Sequence, residues 1–423
     1  MVEIRGFKAL RFDATITGSL NNVLTPPYDV IGEAERDRLA KSGPYNMTHL
    51  ILPVAHGEQP PYARAAALLA QWVACGALRA DKEEHIYLLR LRFTGPDGIK
   101  RERKSFLARL KLPEKEERFI LGHERTFDKP VEDRLALLRA TKANLEPIFL
   151  MYSDPDGQLA PDLFGQMTHK APLLSATTAD GVEQELWAAM LPEAAQRHLE
   201  GQTLYIADGH HRFKTACAYR DEQRAQAMPM DKSLPHDYVM AGFVAFEEPG
   251  LKIHAAHRVL PATFGVNLDA LLARLETYFN CTPLPKGDAM LESLEEEDDR
   301  CAMIMYSARG AWRLVLREDQ RDALLGRDRA EAWRNLDVAV LHRGILGNLL
   351  NTPDTLDLLY ENDASEAMAR VDAGTAVLAF LLRATRAEQV RACAEAFEPM
   401  PQKSTYFFPK LPSGAAIYSH LSH

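Results

Sequence analysis

Leu204-Tyr205-Ile206-Ala207-Asp208-Gly209-His210-His211-Arg212 constrains this chain more than any other stretch. A short apolar run ends in Asp-Gly, and two histidines and an arginine then open a helix-like segment over 213–226. A strand that runs through glycine into a helix aims backbone N–H groups and the positive helix end at whatever lies above it. Such a junction is an anion site, and phosphate is the usual anion. Gly209 permits close backbone approach or a positive φ. Arg212 adds a planar, always-charged fork suited to phosphate oxygens. His210 and His211 are adjacent and cannot share one helix face, but either ring offers N–H donors to a phosphate or a transferring phosphoryl group. Asp208, ending the strand, reads either as a Mg²⁺ ligand acting through water or as a cap on the helix.

At 423 residues the chain exceeds what one hydrophobic core usually serves, so two domains are expected. A formal net charge of −9 argues against a protein that coats nucleic acid or an anionic membrane, while leaving room for a locally basic pocket. The five cysteines (Cys75, Cys217, Cys281, Cys301, Cys393) are odd in number and contain no Cys-x-x-Cys pair, which fits reduced usage; Cys217 is expected as a core thiol. Met1 to Lys8 lacks an apolar signal-peptide region, and no window reaches the ~18 apolar residues of a membrane span, so a cytoplasmic protein is expected.

Along the chain, Leu24-Thr25-Pro26-Pro27-Tyr28-Asp29-Val30-Ile31 reads as extended, because each X-Pro step disfavours helix. Helices are expected over 32–41, 62–75 and 131–144. Strands are expected over 86–94 and 103–112 across the Gly95-Pro96-Asp97-Gly98 turn, and again at 147–152, 203–207 and 238–246. From about residue 261 helices dominate (268–279, 329–349, 365–371, 387–397), with strands at 302–306, 312–316, 356–360 and 376–381. The acidic run from Glu292 to Asp299 is expected as a solvated helix end or loop. The fold class is therefore α/β (α+β): a first domain over 1–261, a smaller α+β domain over 262–398, and a segment 399–423 that returns to the first. That last segment, Met400-Pro401-Gln402-Lys403-Ser404-Thr405-Tyr406-Phe407-Phe408-Pro409-Lys410, is too aromatic for a frayed tail and is expected to line a pocket.

Two further motifs carry chemistry. Gly122-His123-Glu124-Arg125-Thr126, with Lys129, Asp133 and Arg134, offers Glu124 as a general base or metal ligand and Arg125 or Lys129 as a phosphate clamp. Pro26-Pro27 fixes where Tyr28 and Asp29 point, and Asp29 is a candidate base for a substrate hydroxyl. His254 and His257 are not at helical i,i+4 spacing and there is no His-Glu-x-x-His, so a catalytic zinc site is not expected.

Taken together, Phe7-Lys8-Ala9-Leu10-Arg11, the 26–31 and 122–126 segments, Asp133-Arg134, Pro147-Ile148-Phe149, the 206–212 junction, His257-Arg258 and the 400–407 segment resemble the domain of unknown function 1015 family over nearly the whole chain. More distantly, the glycine junction resembles the phosphate motif of the ParB/sulfiredoxin superfamily, which implies a mixed-sheet, nucleotide-binding first domain. That superfamily includes ParB CTPases, sulfiredoxins and free-serine kinases that use ADP or ATP. Sulfiredoxins place a cysteine after the glycine; here the slot is His210, so their chemistry is not implied. ParB proteins carry basic helix-turn-helix segments, which this acidic chain lacks. The serine kinases have an Asp-Gly-x-x-Arg turn, matched by Asp208, Gly209 and Arg212, and an earlier catalytic carboxylate, for which Asp29 and Glu124 are both available.

The expectation is a kinase that moves a phosphoryl group from ATP or ADP to a small hydroxyl substrate such as free L-serine. Gly209, His210, His211, Arg212 and Arg125 would hold phosphates, Asp208 Mg²⁺, and Asp29 or Glu124 the hydroxyl proton, with His211 assisting. Lys403, Ser404 and Thr405 would complete the pocket. No nucleic-acid or membrane partner is expected, and a homodimer is compatible with the sequence. A nucleotide-binding switch and a phosphohydrolase are the alternatives.

Overall fold

Gly95 and Gly98 frame the turn of the longest hairpin, where the Asp97 carboxylate accepts the Ile99 N–H at 3.1 Å and Gly98 adopts a φ of 72°. Glycine supplies that left-handed backbone without strain. The hairpin joins Ile86–Thr94 to Lys100–Lys111 and seeds the large sheet. The computed structural model describes residues 1–95, 97–167, 170–226, 233–287, 289–295, 300–353, 356 and 358–421.

Two compact units emerge. The first comprises Met1–Gly122, Thr126–Lys252 and Pro409–His423; the second comprises His123–Arg125 and Ile253–Phe408. The divisions thus fall at 252/253 and 408/409, beside the 261/262 and 398/399 expected from sequence.

The first unit is a mixed α/β body around a nine-stranded sheet. Its main path runs Ile120–Leu121, Leu204–Asp208, Ile148–Tyr152, Tyr238–Ala245, Lys100–Lys111, Ile86–Thr94, Glu183–Ala189, Leu174–Thr177, with Ile4–Arg5 paired to Lys100–Lys111 off that path. Leu204–Asp208 lies parallel to Ile120–Leu121, and Tyr238–Ala245 parallel to Ile148–Tyr152; the other pairings are antiparallel. Strand side chains alternate between faces. One face carries Phe106, Ala108, Ile148, Leu150, Ala241 and Phe243, buried beneath Leu159, Leu163, Ala195, Leu199 and Ala216 of three helices. The opposite face carries Leu107, Phe149 and Met151, and it is the face on which Asp208 lies.

The second unit is built on a six-stranded antiparallel sheet, ordered Phe279–Leu284, Gly310–Leu316, Ala302–Ser307, Ala376–Leu382, His257–Pro261, Leu359–Glu361. Ala364, Ala367 and Val371 of the helix Ala364–Asp372 and Met290 and Leu294 of Ala289–Glu295 fill its core.

Several expected elements changed. The helix expected over 131–144 is Asp128–Thr141; Lys142 turns left-handed (φ 49°), and Ala143–Asn144 becomes a strand paired with Tyr418–Ser419. The helix expected over 329–349 is broken into Glu331–Arg334, Asp337–Ala339 and a π-helical Val340–Leu349. The break falls where the Asp337 carboxylate is held by Arg383 at 2.9 Å. The acidic run begins on the helix Ala289–Glu295, and its residues 296–299 lie outside the described residues. The strand expected over 356–360 is Leu359–Glu361; residue 357 also lies outside them. All five cysteines are free, and burial pushes the Cys217 thiol up to about 11, far from nucleophilic range at neutral pH. Among the described residues, no helix is long and apolar enough to cross a membrane.

Candidate functional site

The strand Leu204–Asp208 pairs with Ile148–Tyr152 through a register shift between Ile206 and Asp208, which sets Asp208 opposite Phe149. Gly209 follows with φ +90°, and the helix His210–Gln226 starts at once; its first i→i−4 bond runs from Phe213 N to Gly209 O at 2.9 Å. The amide N–H groups before Phe213 therefore lie at the positive end of a long helix. Glycine suits the position for a second reason. A Cβ at 209 would lie 3.1 Å from Arg212 Cζ and would push on the guanidinium folded back over the turn.

Arg212 is buried, donating to Asp208 Oδ2 at 3.0 Å and to the Pro147 carbonyl. Lys410 Nζ stands 3.4 Å from Asp208 Oδ1. Lys410 arrives on the returning tail, and the backbone of the sheet explains how. Leu411 occupies the space that a side chain at Gly242 would fill, so the tail seats directly on the strand Tyr238–Ala245. The tail also bridges the proline-rich segment: Ser413 N–H donates to Thr25 O at 2.8 Å, and Ser413 Oγ donates to Glu146 Oε1 at 3.0 Å. The same Glu146 oxygen accepts the Tyr28 N–H at 2.9 Å. The Arg134 guanidinium lies 4.1 Å from the Tyr28 ring centre. Pro26 and Pro27 stiffen this segment, and the 3-10 turn Tyr28–Val30 delivers Asp29 to the cluster.

Electrostatics separate the two aspartates. Burial alone would raise the Asp208 carboxyl, but Lys410, Arg212 and His210 outweigh it and hold Asp208 below the usual carboxylate range. Asp29 reaches solvent, yet protein surrounds its carboxyl. Desolvation, then Asp208, push Asp29 up to about 6 against the pull of Arg212 and Lys410. Paired carboxylates pushed in opposite directions mark acid/base assignments. Tyr28 shares the crowding: burial and then Asp29 push its phenol up.

The two histidines take different roles. His210 is buried against Gly122, where a Cβ would lie 2.9 Å from the ring. His211 Nε2 accepts the Phe127 N–H at 3.1 Å and its ring stacks on Phe127, which leaves the proton on Nδ1. Burial, then Lys214 and Arg212, keep His211 below the usual histidine range, so it is neutral at pH 7.

The structure thus gathers Asp29, Asp208, Gly209, His210, His211 and Arg212 in the first unit. Glu124, Arg125, Lys403, Ser404 and Thr405 belong to the second unit. There His123 Nε2 lies 3.0 Å from Thr405 Oγ1, and His123 O accepts the Met400 N–H. Ser404 is buried with its hydroxyl donating to Pro401 O, and the Lys403 ammonium lies 4.8 Å from the Tyr360 ring centre. Arg258 organises this loop by donating to Gln402 O and Lys403 O at 3.1 and 3.0 Å. Sequence reasoning passed over Glu146 and Ser413, which had no signal. It noted Lys410 only as a lysine of the aromatic tail. Among the described residues, no group of three or more His, Cys, Asp and Glu side chains is disposed to hold a metal ion.

These features define a two-unit α/β protein whose first unit carries a strand–glycine–helix turn beside two carboxylates of opposite titration. The chain belongs to the family described as "Protein of unknown function (DUF1015)", which matches residues 4–339. No curated protein matches it in sequence. Among solved structures it is similar to a free serine kinase in complex with AMP (14% identity, TM-score 0.33, covering 68% of this chain and 83% of that one). It is also similar to a conserved hypothetical protein from Pyrococcus furiosus (13%, 0.34, 70% and 90%). A third is SbnI with C-terminal truncation from Staphylococcus aureus (12%, 0.36, 73% and 85%).

Proposed function

We propose that this protein is a nucleotide-dependent kinase for a small hydroxyl substrate, with L-serine as the first acceptor to test. The observation that carries the reading is Asp29, a solvent-reached carboxylate pushed up to about 6 beside Arg212, Lys410 and a helix N-terminus. A base with that pKa is ionised at pH 7 and still able to take a proton. In this reading the phosphates of ATP or ADP lie over the Gly209 turn, neutralised by the helix end and by Arg212 and Lys410. The acceptor hydroxyl gives its proton to Asp29 as its oxygen bonds to the terminal phosphorus. The bond from that phosphorus to the nucleotide breaks, releasing ADP or AMP.

Asp208 already pairs with two cations, so the donor set around it fits a phosphate better than a metal. Mg²⁺ would enter with the nucleotide, neutralising phosphate charge. Glu124 remains the alternative base. A coupled assay of L-serine with ATP and with ADP tests the reading, and Asp29→Asn is expected to lower kcat by about 10²–10⁴-fold with nucleotide binding retained. No phosphoserine from either donor, with folded protein and Mg²⁺ present, would exclude the serine version. Phosphate release without an acceptor would point to a hydrolase.

The Lys410–Asp208 pair favours a second reading, a nucleotide-binding switch. A phosphate that draws Lys410 off Asp208 shifts the returning tail. Tight binding without turnover would favour it.

A further inference from the structure

Phe127 is 49% exposed, although it stands directly before a long helix of the first unit, Asp128–Thr141. Single exposed apolar side chains are ordinary on a protein surface. This one is set apart by what holds it. Its N–H donates to His211 Nε2 at 3.1 Å, and its ring stacks on the His211 ring with centres 6.3 Å apart and planes inclined by 22°. One face of the ring is therefore covered by His211, and the exposure belongs to the rest of it. His211 is the second residue after Gly209, so the ring stands one histidine side chain away from the turn.

Two helices meet there. The contacts between Asp128–Thr141 and His210–Gln226 advance together along both: Phe127 with His211, Asp128 with Lys214 at 3.5 Å, Val131 with Thr215 at 3.3 Å, Arg139 with Glu222 at 2.9 Å. The helices are thus parallel neighbours, and their positive ends open on the same side, with Phe127 at the joint. The i→i−4 bonds begin at Val131 N in one and at Phe213 N in the other. Over the Gly209 turn, Arg212 Nε is buried, has no hydrogen-bond partner among the described residues, and lies 3.1 Å from where a Cβ at 209 would stand. An unmet guanidinium N–H beside paired helix starts calls for an anion. The one carboxylate at the start of the neighbouring helix, Asp128, is paired with Lys214.

We infer that Phe127 is the seat of the nucleobase: the base of a nucleoside di- or triphosphate stacks on the open face of the ring while its phosphates lie over the Gly209 turn. A phenyl ring has no hydrogen-bonding group, so it recognises the flat π face that every base presents. An inorganic polyphosphate gains nothing from it. The inference rests on the nucleotide reading of the site, and turnover plays no part in its test.

Phe127→Ala, Phe127→Leu and Phe127→Trp would be compared with wild type by calorimetric titration with ADP and, separately, with inorganic pyrophosphate. The hydrogen bond to His211 comes from the Phe127 backbone, so every variant keeps the donor. Phe127→Ala is expected to weaken ADP binding about 5- to 150-fold, the scale of one base–aromatic stack, and to leave pyrophosphate binding unchanged. Phe127→Leu keeps the bulk without the π face and should weaken ADP by a smaller factor. Phe127→Trp should bind ADP at least as tightly as wild type, and ADP but not pyrophosphate should quench the added indole fluorescence.

Equal ADP affinity in wild type and Phe127→Ala overturns the inference. Parallel loss of ADP and pyrophosphate overturns it too, because Phe127 would then be a prop for the His211 turn. If Phe127→Ala does not fold, Phe127→Leu and Phe127→Trp carry the same comparison. Wild type that binds ADP no tighter than pyrophosphate keeps the anion turn and loses the base seat. Wild type that binds neither ligand ends the nucleotide reading itself, and the base seat with it.

Discussion

Arg212 in the first unit and Arg258 in the second are both buried guanidiniums that donate to main-chain carbonyls, and they carry opposite electrostatics. Burial alone would lower Arg212, but Asp208, then Glu146 and Asp29, hold it above its ordinary value. Arg258 faces the Ala256, Gln402 and Lys403 carbonyls, the His342 ring and the Tyr360 ring, and burial pulls it down to about 10. A cation balanced by carboxylates belongs to a charge cluster that an incoming anion can rebalance. A cation held by carbonyl dipoles is a clamp, and what it fixes is the loop around Lys403, a residue held at φ 52°.

The comparison breaks most directly at Asp208. Asp208→Asn leaves Arg212 and Lys410 buried without their shared counter-ion and is expected to cost about 3–5 kcal/mol in denaturant unfolding. A loss near zero would mean that the cluster is solvated and the contrast with Arg258 is false. Arg258→Met strands no carboxylate. It orphans carbonyls instead, so a smaller loss of about 1–3 kcal/mol is expected, with faster hydrogen exchange concentrated in 402–405. An equal or larger loss than for Asp208→Asn would show that dipoles hold the second unit as firmly as charge holds the first.

The smallest effect is a difference in pH response. Burial pulls His257 down to about 4 and His342 down to about 3, with Arg258 adding to both. Their unfolded values lie near 6.5, so the stability they confer is present above about pH 6.5 and is lost as pH falls toward 4 and 3. Asp29 runs the other way. Its folded pKa is raised, so its contribution is full below about pH 3.9 and is lost as pH rises through about 6. Urea melts at pH 7.5 and pH 5 should therefore show the second unit weakening with acid, and Asp29→Asn gaining on wild type at the higher pH. A second unit that strengthens at pH 5 would refute the assignment of buried, neutral histidines.

The junction at Gly209 was legible because every part of it is local. A short apolar run makes a strand, Asp-Gly ends it, and the following residues are helix-compatible. The rigid turn carrying Asp29 was legible because two prolines precede it. Choosing between Asp29 and Glu124 was not possible from sequence, since the choice depends on which carboxylate sits beside Asp208. What the packed chain adds is the surroundings of Asp29, whose carboxyl burial and then Asp208 push up to about 6. The helix expected over 329–349 failed for the same reason in reverse. Its local propensity is continuous, but Asp337 is paired with Arg383, 46 residues further along, and the helix is interrupted at that contact.

The sequence by itself determined the strand–glycine–helix turn, the glycine within it, and the hairpin at 95–98, because backbone sterics and hydrogen bonding act between near neighbours. Only the tertiary structure decided what surrounds the turn. Lys410, Glu146 and Ser413 reach it from distant segments, and Gly242 makes room for the tail. A pKa of about 6 at Asp29 is a property of surroundings, set by which charges and how much water remain after the chain has packed.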